Sequence, residues 1–233
     1  RGLIVSTFHN LGLRILKSEL KACGLRNGFS ILDGADSKEI LKEILRQGES
    51  ERDLDAVDVI HKRISDWKNA LVLPEEAVST AETDEDLRAA MAYGGYDRML
   101  RVCNAVDFDD LILMPARMFR EQPCILEKWR NRIQYLLVDE YQDTNASQYL
   151  LVKLLIGKRN QFTVVGDDDQ SIYAWRGARP ENLMLLKDDY PSLKVVMLEQ
   201  NYRSTSRILR CANVLISNNP HEFEKQLWSE MGH

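Results

Sequence analysis

Two adjacent acidic residues, Asp139 and Glu140, follow a short apolar run in the stretch LLVDEYQDTN at 136–145. Carboxylate oxygens are ligands that Mg²⁺ prefers, so one acid could hold a magnesium ion while its neighbour faces an attacking water. This pattern is typical of nucleotide hydrolysis. Acidic residues also occur at ordinary solvated strand ends, and the pair taken alone leaves both interpretations open.

Three consecutive aspartates and two aromatic residues mark a second stretch, VVGDDDQSIYAWRGA at 164–178. Residues two apart point to the same side of an extended segment, so Tyr173 and Trp175 could present two rings in a row, with Arg176 beside them. Such rings can stack on unpaired bases, at about 1–3 kcal/mol per base. Alternatively, both rings cover the core beneath a sheet. Gln170 could hydrogen-bond a phosphate or a water.

A tyrosine and an arginine, Tyr202 and Arg203, are adjacent in a third stretch, LEQNYRS at 198–204. An aromatic ring can stack on a nucleobase, and a guanidinium can reach a phosphate with a forked, permanently charged group. The alternative is an aromatic residue that covers a helix start, next to a surface arginine.

The elements that would position these residues alternate from about residue 130 onwards. Short β-branched apolar runs suited to buried parallel strands occupy 135–139, 162–166 and 194–198. Between the first two, ASQYLLVKLLI predicts a helix with four leucines on one face, Leu150, Leu151, Leu154 and Leu155. This β-α-β order predicts an α/β fold with a parallel sheet, in which ligands bind beyond the carboxyl ends of the strands.

Residues from about 10 to 120 are predicted to be helical. In LDAVDVIHKRISDWKNALVL, apolar residues recur every three or four positions, which indicates an amphipathic helix with Trp67 in the core. This stripe comprises Leu54, Val57, Ile60, Ile64, Trp67 and Leu71. A shorter helix is predicted in DSKEILKEILRQ, where Asp36 and Glu39 could form a capping box. The acidic stretch PEEAVSTAETDEDL predicts an exposed connection before a helix that starts near Thr83.

The composition of this 233-residue chain, with 44% hydrophobic residues and a formal net charge of −5, is that of a folded globular protein. No apolar run approaches the roughly 20 residues needed to cross a bilayer, so a cytoplasmic location without membrane contact is expected. The net charge does not exclude a local groove for nucleic acid. The start, which lacks methionine and enters the apolar run LIVSTFHNLG at once, indicates a piece of a longer protein.

The four cysteines, Cys23, Cys103, Cys124 and Cys211, lie far apart and form no C-x-x-C pair. This spacing favours buried or free thiols over disulfides or a zinc site.

Taken together and in this order, the motifs resemble those of the superfamily 1 DNA helicases of the Rep, UvrD and PcrA type, and most of all its Rep branch. Beyond the stretches above, TFHNLGLRIL (7–16), VDFDDLI (106–112) and NNPHEFEKQLWSE (218–230) are also similar to that family. The resemblance covers essentially the whole chain. The ordered set D-E-x-Q-D, G-D-x-x-Q-S-I-Y-x-W-R-G-A and Q-N-Y-R-S is highly specific.

The resemblance implies catalytic and ATP-binding roles at the matching positions. Asp139 would hold Mg²⁺, Glu140 would polarise the hydrolytic water, and Gln170 would sense the γ-phosphate of ATP. Tyr202 would stack on adenine, and Arg203 would act as an arginine finger that stabilises charge on the transferring phosphate.

The resemblance also implies contacts with single-stranded DNA. Tyr173, Trp175 and Arg176 would bind it, and Thr7, Phe8 and His9 match a motif that lies along the strand. His9 fits equally well a histidine that is hydrogen-bonded at a strand-to-helix turn.

The family's architecture accounts for the change from helical to alternating pattern. Residues 1–9 and 120–198 would form part of a RecA-like domain, 1A, with a parallel sheet. Residues 10–119 would form its mainly α-helical insertion, 1B, and residues 199–233 would begin the second RecA-like domain, 2A. The implied activity is ATP-dependent 3′ to 5′ translocation and unwinding, with single-stranded DNA, single-strand/duplex junctions and ATP as partners. The resemblance also allows replication or repair proteins as partners.

The phosphate loop that such an enzyme needs, G-x-x-x-x-G-K-S/T, does not occur in these 233 residues. Near Gly157 and Lys158 the pattern fails, because Arg159 follows and Val152 stands where the first glycine belongs. Phosphoryl transfer depends on positioning, so the chain alone is expected not to hydrolyse ATP. Two alternatives stay open: a non-catalytic single-stranded-DNA-binding module, and the helicase part of a helicase-nuclease.

Overall fold

The computed structural model describes residues 2–46, 56–219 and 223–232. The chain divides into two compact units, one of residues 1–136 and 145–161, the other of residues 137–144 and 162–233. Leu54 of the predicted helical stripe, and residues 220–222 of the NNPHEFEKQLWSE motif, lie outside the described residues.

The first unit is mainly helical, as the sequence predicts for residues 10 to 120. Its helices are α1 (Phe8–Ser18), α2 (Gly34–Arg46), α3 (Val57–Asn69), α4 (Pro74–Ser79), α5 (Asp84–Val102), α6 (Asp110–Glu121), α7 (Pro123–Arg132) and α8 (Ala146–Ile156). Two short strands, β1 (Ser30–Ile31) and β2 (Ala105–Val106), pair in parallel, with Ser30 opposite Ala105. Of the four cysteines, all are free thiols, and Cys23 is partly buried.

The apolar stripe of α3 packs into the core of the first unit. Val57, Ile60 and Ile64 are buried, and the partly buried Trp67 stacks on Tyr93 with 6.0 Å between ring centroids and 12° between ring planes. The prediction is therefore confirmed as far as Trp67. Leu71 lies beyond the helix end, in a left-handed backbone conformation with φ 66°.

Two predicted helix starts have different outcomes. Thr83 caps α5, because its hydroxyl accepts a hydrogen bond from the amide of Asp86 at 3.0 Å, as predicted. The capping box predicted at Asp36 and Glu39 of α2 is wrong. Asp33 accepts from the amide of Asp36 at 2.9 Å and Asp36 accepts from the amide of Asp33 at 3.3 Å, so α2 begins one turn earlier than Asp36 and Glu39 would place it.

The acidic stretch after α3 is not wholly an exposed connection. Helix α4 forms within it, with Pro74 in its first turn and the Glu76 carboxylate accepting from the amide of Leu73 at 2.9 Å. Ala77 is fully buried on its inner side. A single small apolar residue thus anchors a helix too short to show periodicity in the sequence.

A lysine and two aspartates form a buried charged network in the first unit. The ammonium of Lys68, 1% exposed, donates to Asp107 Oδ2 at 2.6 Å and to Asp110 Oδ1 at 2.8 Å. The hydroxyl of Tyr96 also donates to Asp107 Oδ2, at 3.0 Å. Burial acts to lower the pKa of Lys68, but the charges of both aspartates outweigh it and raise that pKa. Burial and the charge of Asp107 raise the pKa of Asp110 to about 7.

Helix α8 is the helix predicted between the first two strands. Its inner leucines, Leu151 and Leu155, are buried, and Leu150 and Leu154 are partly buried. Asn145 caps the helix by accepting from the amide of Gln148 at 2.9 Å. The side chain of Asn145 also donates to Asn69 Oδ1 of α3 at 2.5 Å, which fixes the start of α8 within the first unit.

Strand β3 (Leu136–Val138) begins at the last residue of the first unit and continues into the second, which also contains β4 (Phe162–Val164), α9 (Glu181–Asp189) and α10 (Ser206–Ile216). The strands pair in parallel: the amide of Leu136 donates to Gln161, and the amide of Val165 donates to Val138. The buried side chains of the second unit include Tyr141, Leu186, Tyr190 and Leu209. The described fold is therefore mostly helical, with two small parallel sheets.

The third predicted strand, 194–198, is wrong: these residues form no strand. Their apolar side chains are exposed, from 40% for Met197 to 79% for Leu198. Strand propensity is realised only when a neighbouring strand supplies hydrogen bonds and side-chain contacts. After this run, the only strand-like pairing among the described residues is the isolated bridge between Gln200 and Trp228.

None of the helices in the described ranges is long and apolar enough to cross a membrane.

Candidate functional site

The two acids expected to act on ATP lie at the carboxyl end of β3. Asp139 and Glu140 are exposed, and Asp139 Oδ1 accepts a hydrogen bond from the amide of Glu140 at 3.0 Å. Glu140 has a left-handed backbone with φ 49° and ψ 47°, a conformation that costs a residue with a Cβ about 1 kcal/mol or more. The next amide, of Tyr141, donates to Val165 at 2.9 Å, so the chain turns back toward β4.

Gln142 joins this turn to the loop that follows β4. Its side chain is buried, its Nε2 donates to Glu140 Oε2 at 2.8 Å, and its Oε1 accepts from the amide of Asp167 at 3.0 Å. Sequence reasoning gave Gln142 no role, because the burial of a glutamine in a polar motif has no local signal. One carboxamide thus positions the candidate base and the start of the acidic loop.

The contact between Gln142 and the loop after β4 also requires a glycine at position 166. A Cβ at this position would lie 2.9 Å from Gln142 Oε1 and 3.4 Å from the Gln142 amide nitrogen. Any side chain would therefore push the buried carboxamide out of place.

The three consecutive aspartates form a compact acidic loop. Asp168–Gln170 is a 3₁₀ turn, and Asp167 Oδ1 accepts from the amide of Asp169 at 3.1 Å. The carboxamide of Gln170 donates to Asp167 Oδ2 at 2.6 Å. The ammonium of Lys225 forms ion pairs with all three carboxylates. The mutual repulsion of the aspartates is therefore offset by a lysine more than fifty residues further along the chain, a contact with no local signal.

Two sets of neighbouring carboxylates could attract a divalent cation, and their surroundings differ. Among the described residues, Asp167–Asp169 is the one group of three or more potential ligands, and the Lys225 ammonium already pairs with its three carboxylates. Asp139 and Glu140 instead present exposed carboxylates, which suit an ion such as Mg²⁺ that keeps several waters. Nearby, Asp143 Oδ1 is buried without a hydrogen-bond partner among the described residues. Burial and the charge of Glu140 raise the pKa of Asp143.

The aromatic residues expected to bind DNA lie on the surface of the second unit. Trp175 is 64% exposed and Tyr173 is 37% exposed. The guanidinium carbon of Arg176 lies 4.4 Å from the centroid of the Trp175 ring and 5.3 Å from that of Tyr173. The interpretation that these rings cover a core is therefore wrong for Trp175.

The predicted extended geometry of this segment is also wrong. Ala174–Arg176 is a 3₁₀ turn, in which the amide of Arg176 donates to Tyr173 and that of Gly177 donates to Ala174, both at 2.9 Å. Gly177 closes the turn with φ 82°, which glycine adopts without strain. The Arg176 guanidinium lies near both rings, so this turn and not strand alternation brings the three groups together.

Tyr202 and Arg203 lie in a polar turn before α10. Tyr202 is 77% exposed, so it does not cover the helix start, and its hydroxyl donates to Gln200 Oε1 at 2.7 Å. Asn201 Oδ1 accepts from the amides of Arg203 and Ser204, at 2.9 and 2.8 Å. The Asn201 side chain therefore shapes the turn that presents both candidate residues.

Thr7, Phe8 and His9 belong to the first unit. Thr7 caps α1, accepting from the amide of Asn10 at 3.3 Å, and Phe8 packs at the edge of a core cluster. His9 is half-buried, edge-on to Phe108 at 6.2 Å between ring centroids. Burial lowers the pKa of His9, although the charge of Asp109 opposes this. These contacts support the local fold of the helix start.

The structure thus places most candidate residues in one unit. The second unit holds Asp139, Glu140, Gln170, Tyr173, Trp175, Arg176, Tyr202 and Arg203, and the first holds Thr7, Phe8 and His9. Within the second unit, hydrogen bonds through Gln142 connect the turn at Glu140 with the acidic loop that leads to Gln170.

Comparison with known proteins identifies the class to which these features belong. Residues 1–191 match the family model of the UvrD/REP helicase N-terminal domain, and the chain belongs to this family. The resemblance drawn from the motifs is confirmed.

Two similar relatives are described as ATP-dependent DNA helicase Rep. The whole chain is 54% identical to Rep of Salmonella typhimurium LT2 and 55% identical to Rep of Escherichia coli K12, covering 34% of each. ATP-dependent DNA helicase PcrA of Staphylococcus epidermidis is 42% identical over 225 residues, which are 97% of this chain and 31% of that protein. The chain spans about a third of the length of the curated relatives it matches.

Proposed function

We propose that this chain is part of an ATP-dependent 3′ to 5′ DNA helicase, which translocates on single-stranded DNA and unwinds duplex DNA. The observation that carries the proposal is the hydrogen-bonded connection from the acids after β3, through Gln142, to the loop that continues into the exposed Trp175 and Arg176. A motor must link its nucleotide site to its DNA contacts. One short segment, 166–176, would contain residues of both.

In this proposal the acids after β3 act on ATP. Asp139 would hold Mg²⁺, which would neutralise charge on the β- and γ-phosphates. Glu140 would orient and polarise the attacking water, and its carboxylate is already fixed by the 2.8 Å hydrogen bond from Gln142. The strained backbone of Glu140 supports a functional role, since such conformations concentrate at active sites.

The remaining nucleotide contacts would come from two loops. Gln170 would sense the γ-phosphate from the end of the acidic loop. Tyr202 would stack on adenine, which its high exposure permits, and Arg203 would stabilise charge on the transferring phosphate. The turn shaped by Asn201 would hold both groups.

Single-stranded DNA would bind at the ring cluster of Tyr173, Trp175 and Arg176. Stacking on an exposed indole is indifferent to base identity, as a translocating motor requires, and a guanidinium beside the rings would reach the phosphates. Thr7, Phe8 and His9 would follow the strand in the first unit. Single-strand/duplex junctions are the proposed substrates, and replication or repair proteins are compatible partners.

The proposed domains follow the family's architecture. Residues 1–9 and 120–198 would form part of the RecA-like domain 1A, residues 10–119 its helical insertion 1B, and residues 199–233 the start of 2A. The helical content of residues 10–119 supports the mainly α-helical character proposed for 1B.

A non-catalytic role is the second candidate for the chain on its own. The sequence contains no G-x-x-x-x-G-K-S/T loop to hold the phosphates, which favours a single-stranded-DNA-binding module without turnover. A DNA-stimulated phosphate-release assay on the 233-residue chain should show no more turnover than the Glu140→Gln variant. Robust turnover that Glu140→Gln abolishes would favour a complete ATPase instead.

Binding of labelled oligothymidine tests the DNA platform. Trp175→Ala should weaken affinity by about 5- to 150-fold, the equivalent of one stacked base. Trp228→Ala is the matched control, because Trp228 is an exposed tryptophan of the same unit, at 46%. Equal affinities of the two variants would count against the platform.

A further inference from the structure

The ammonium of Lys225 lies within ion-pair distance of the acidic loop. It forms ion pairs with Asp167, with Asp168 at 2.7 Å and with Asp169 at 3.0 Å. The site is partly buried, with side-chain exposures of 15% for Lys225 and 8% for Asp168. Burial opposes the charged form of Lys225, but hydrogen bonds to the three carboxylates prevail and raise its pKa. The ammonium is therefore a fixed charge.

The segment that carries Lys225, residues 223–229, is itself attached to the LEQN stretch. The amide of Trp228 donates to Glu199 at 3.0 Å, and the amide of Asn201 donates to Trp228 at 2.7 Å. The amide of Gln226 donates to Glu199 Oε1 at 2.8 Å. One short segment thus binds the acidic loop through a side chain and binds residues 199–201 through its backbone.

The contacts continue to α10 and α9. Asn213 of α10 donates to the carbonyl of Leu227 at 2.8 Å and accepts from its amide at 3.2 Å. The ammonium of Lys187 lies 4.1 Å from the ring centroid of Phe223. The position of Lys225 is therefore set by contacts on both sides of it.

We propose that Lys225 is a positioning residue of the nucleotide site, which serves as the built-in counter-ion of Asp167–Asp169 and couples this loop to the turn of Arg203. The proposal rests on the proposed function for the roles of Gln170 and Arg203. The contacts through which Lys225 joins the acidic loop to residues 199–201 do not depend on those roles.

Two chains of contacts carry the coupling. On one side, Lys225 binds Asp167, which accepts from Gln170 at 2.6 Å. On the other side, the 223–229 segment binds Asn201, whose side chain fixes the amide of Arg203 at 2.9 Å. Displacement of Lys225 would therefore release both candidate phosphate contacts together.

The counter-ion role also determines where a divalent cation binds. Oxygens of the three aspartates lie within 4.8 Å of one another, a spacing that suits a metal ion. The Lys225 ammonium already pairs with all three carboxylates, so a divalent cation at this position would have to displace it. In this proposal Mg²⁺ would therefore bind at the acids after β3, which have no such ammonium among the contacts described above.

Amide hydrogen exchange on the full chain tests this proposal without ATP or DNA. Lys225→Met should speed exchange in 167–170 and 199–204 by about 10-fold or more, as expected for the loss of charge-assisted hydrogen bonds. Lys225→Arg should retain much of the protection. Lys194→Met, which removes an exposed lysine of the same unit, is the control and should leave both segments unchanged.

Addition of Mn²⁺ separates a counter-ion from a merely structural residue. Mn²⁺ should restore protection of 167–170 in Lys225→Met and leave the Lys194→Met control unaffected. Three results would overturn the proposal: no faster exchange in Lys225→Met than in the control, equally faster exchange throughout the second unit including α9, or the same Mn²⁺ effect in both variants. Because these readouts need no substrate, failure of the proposed function would appear separately, in the oligothymidine experiment.

Discussion

Removal of the buried cation Lys68 should destabilise the first unit strongly. Lys68→Met keeps the length and apolar stem of the side chain but leaves Asp107 and Asp110 buried without the ammonium that now lies 2.6 and 2.8 Å from them. Loss of one partner from a buried ionic network costs about 3–5 kcal/mol, because the remaining charges are neither solvated nor paired. For a slope of about 2 kcal/mol per molar urea, the unfolding midpoint would fall by roughly 2 M.

Urea unfolding followed by tryptophan emission measures this loss. Trp129 is 5% exposed in the first unit, so its emission reports the integrity of that core. Lys62→Met is the matched control on the same helix, since Lys62 is 65% exposed and pairs with Asp66 on the surface. Such a surface pair contributes less than about 1 kcal/mol.

The reasoning is refuted if Lys68→Met and Lys62→Met unfold at the same urea concentration. A double variant checks the cause of the loss. Combining Lys68→Met with Asp107→Asn removes the carboxylate that ionises most readily in this network, so part of the lost stability should return. A further decrease would mean that the loss comes from packing and not from charge.

Two further predictions concern single residues. The raised pKa of Asp110, about 7 against an ordinary 3.8, means that the folded state keeps a proton that the unfolded state releases. The difference in free energy of unfolding, wild type minus Asp110→Asn, should therefore fall as the pH rises from about 4 to 7 in urea titrations, and a constant difference would contradict the assignment. Gly166→Ala should displace the Gln142 carboxamide, cost about 1–2 kcal/mol and speed exchange of the Asp167 amide, unlike Gly2→Ala, where a Cβ meets nothing within 4 Å.

Periodicity and local capping could be predicted well from the sequence. The stripe of α3 from Val57 to Trp67 and the leucine face of α8 pack against the core as expected, because a helix face depends only on spacing along the chain. The start of α5 at Thr83 follows from the same local chemistry. The cap of α2 was misplaced by one turn, since Asp33 and Asp36 both suit the N-cap and only the backbone decides between them.

Features that depend on distant partners could not be predicted. The run 194–198 has strand-forming residues, but strand formation requires a neighbour that no local pattern specifies. The contacts of Gln142 and Lys225 could not be predicted for the same reason, because their bonds to Asp167 join residues far apart in sequence. The three consecutive aspartates did indicate electrostatic repulsion within the acidic loop. The Lys225 ammonium offsets that repulsion.

The candidate site could be predicted in part. Residue types and motif order indicated Asp139, Glu140, Trp175 and Arg203, and the structure shows that all four are exposed. Strand alternation predicted an extended segment, whereas Ala174–Arg176 forms a turn with the Arg176 guanidinium near both rings. Exposure was therefore predictable here, but conformation was not.

Photo-crosslinking to an oligothymidine that contains 5-iodouracil tests the central claim most directly, because a halogenated base links to an aromatic ring on which it is stacked. Mass spectrometry of the digested chain should place the crosslink on Tyr173 or Trp175, and Trp175→Ala should reduce its yield while Trp228→Ala leaves it unchanged. Crosslinks confined to other aromatic residues, or a yield unaffected by Trp175→Ala, would contradict the proposed DNA platform.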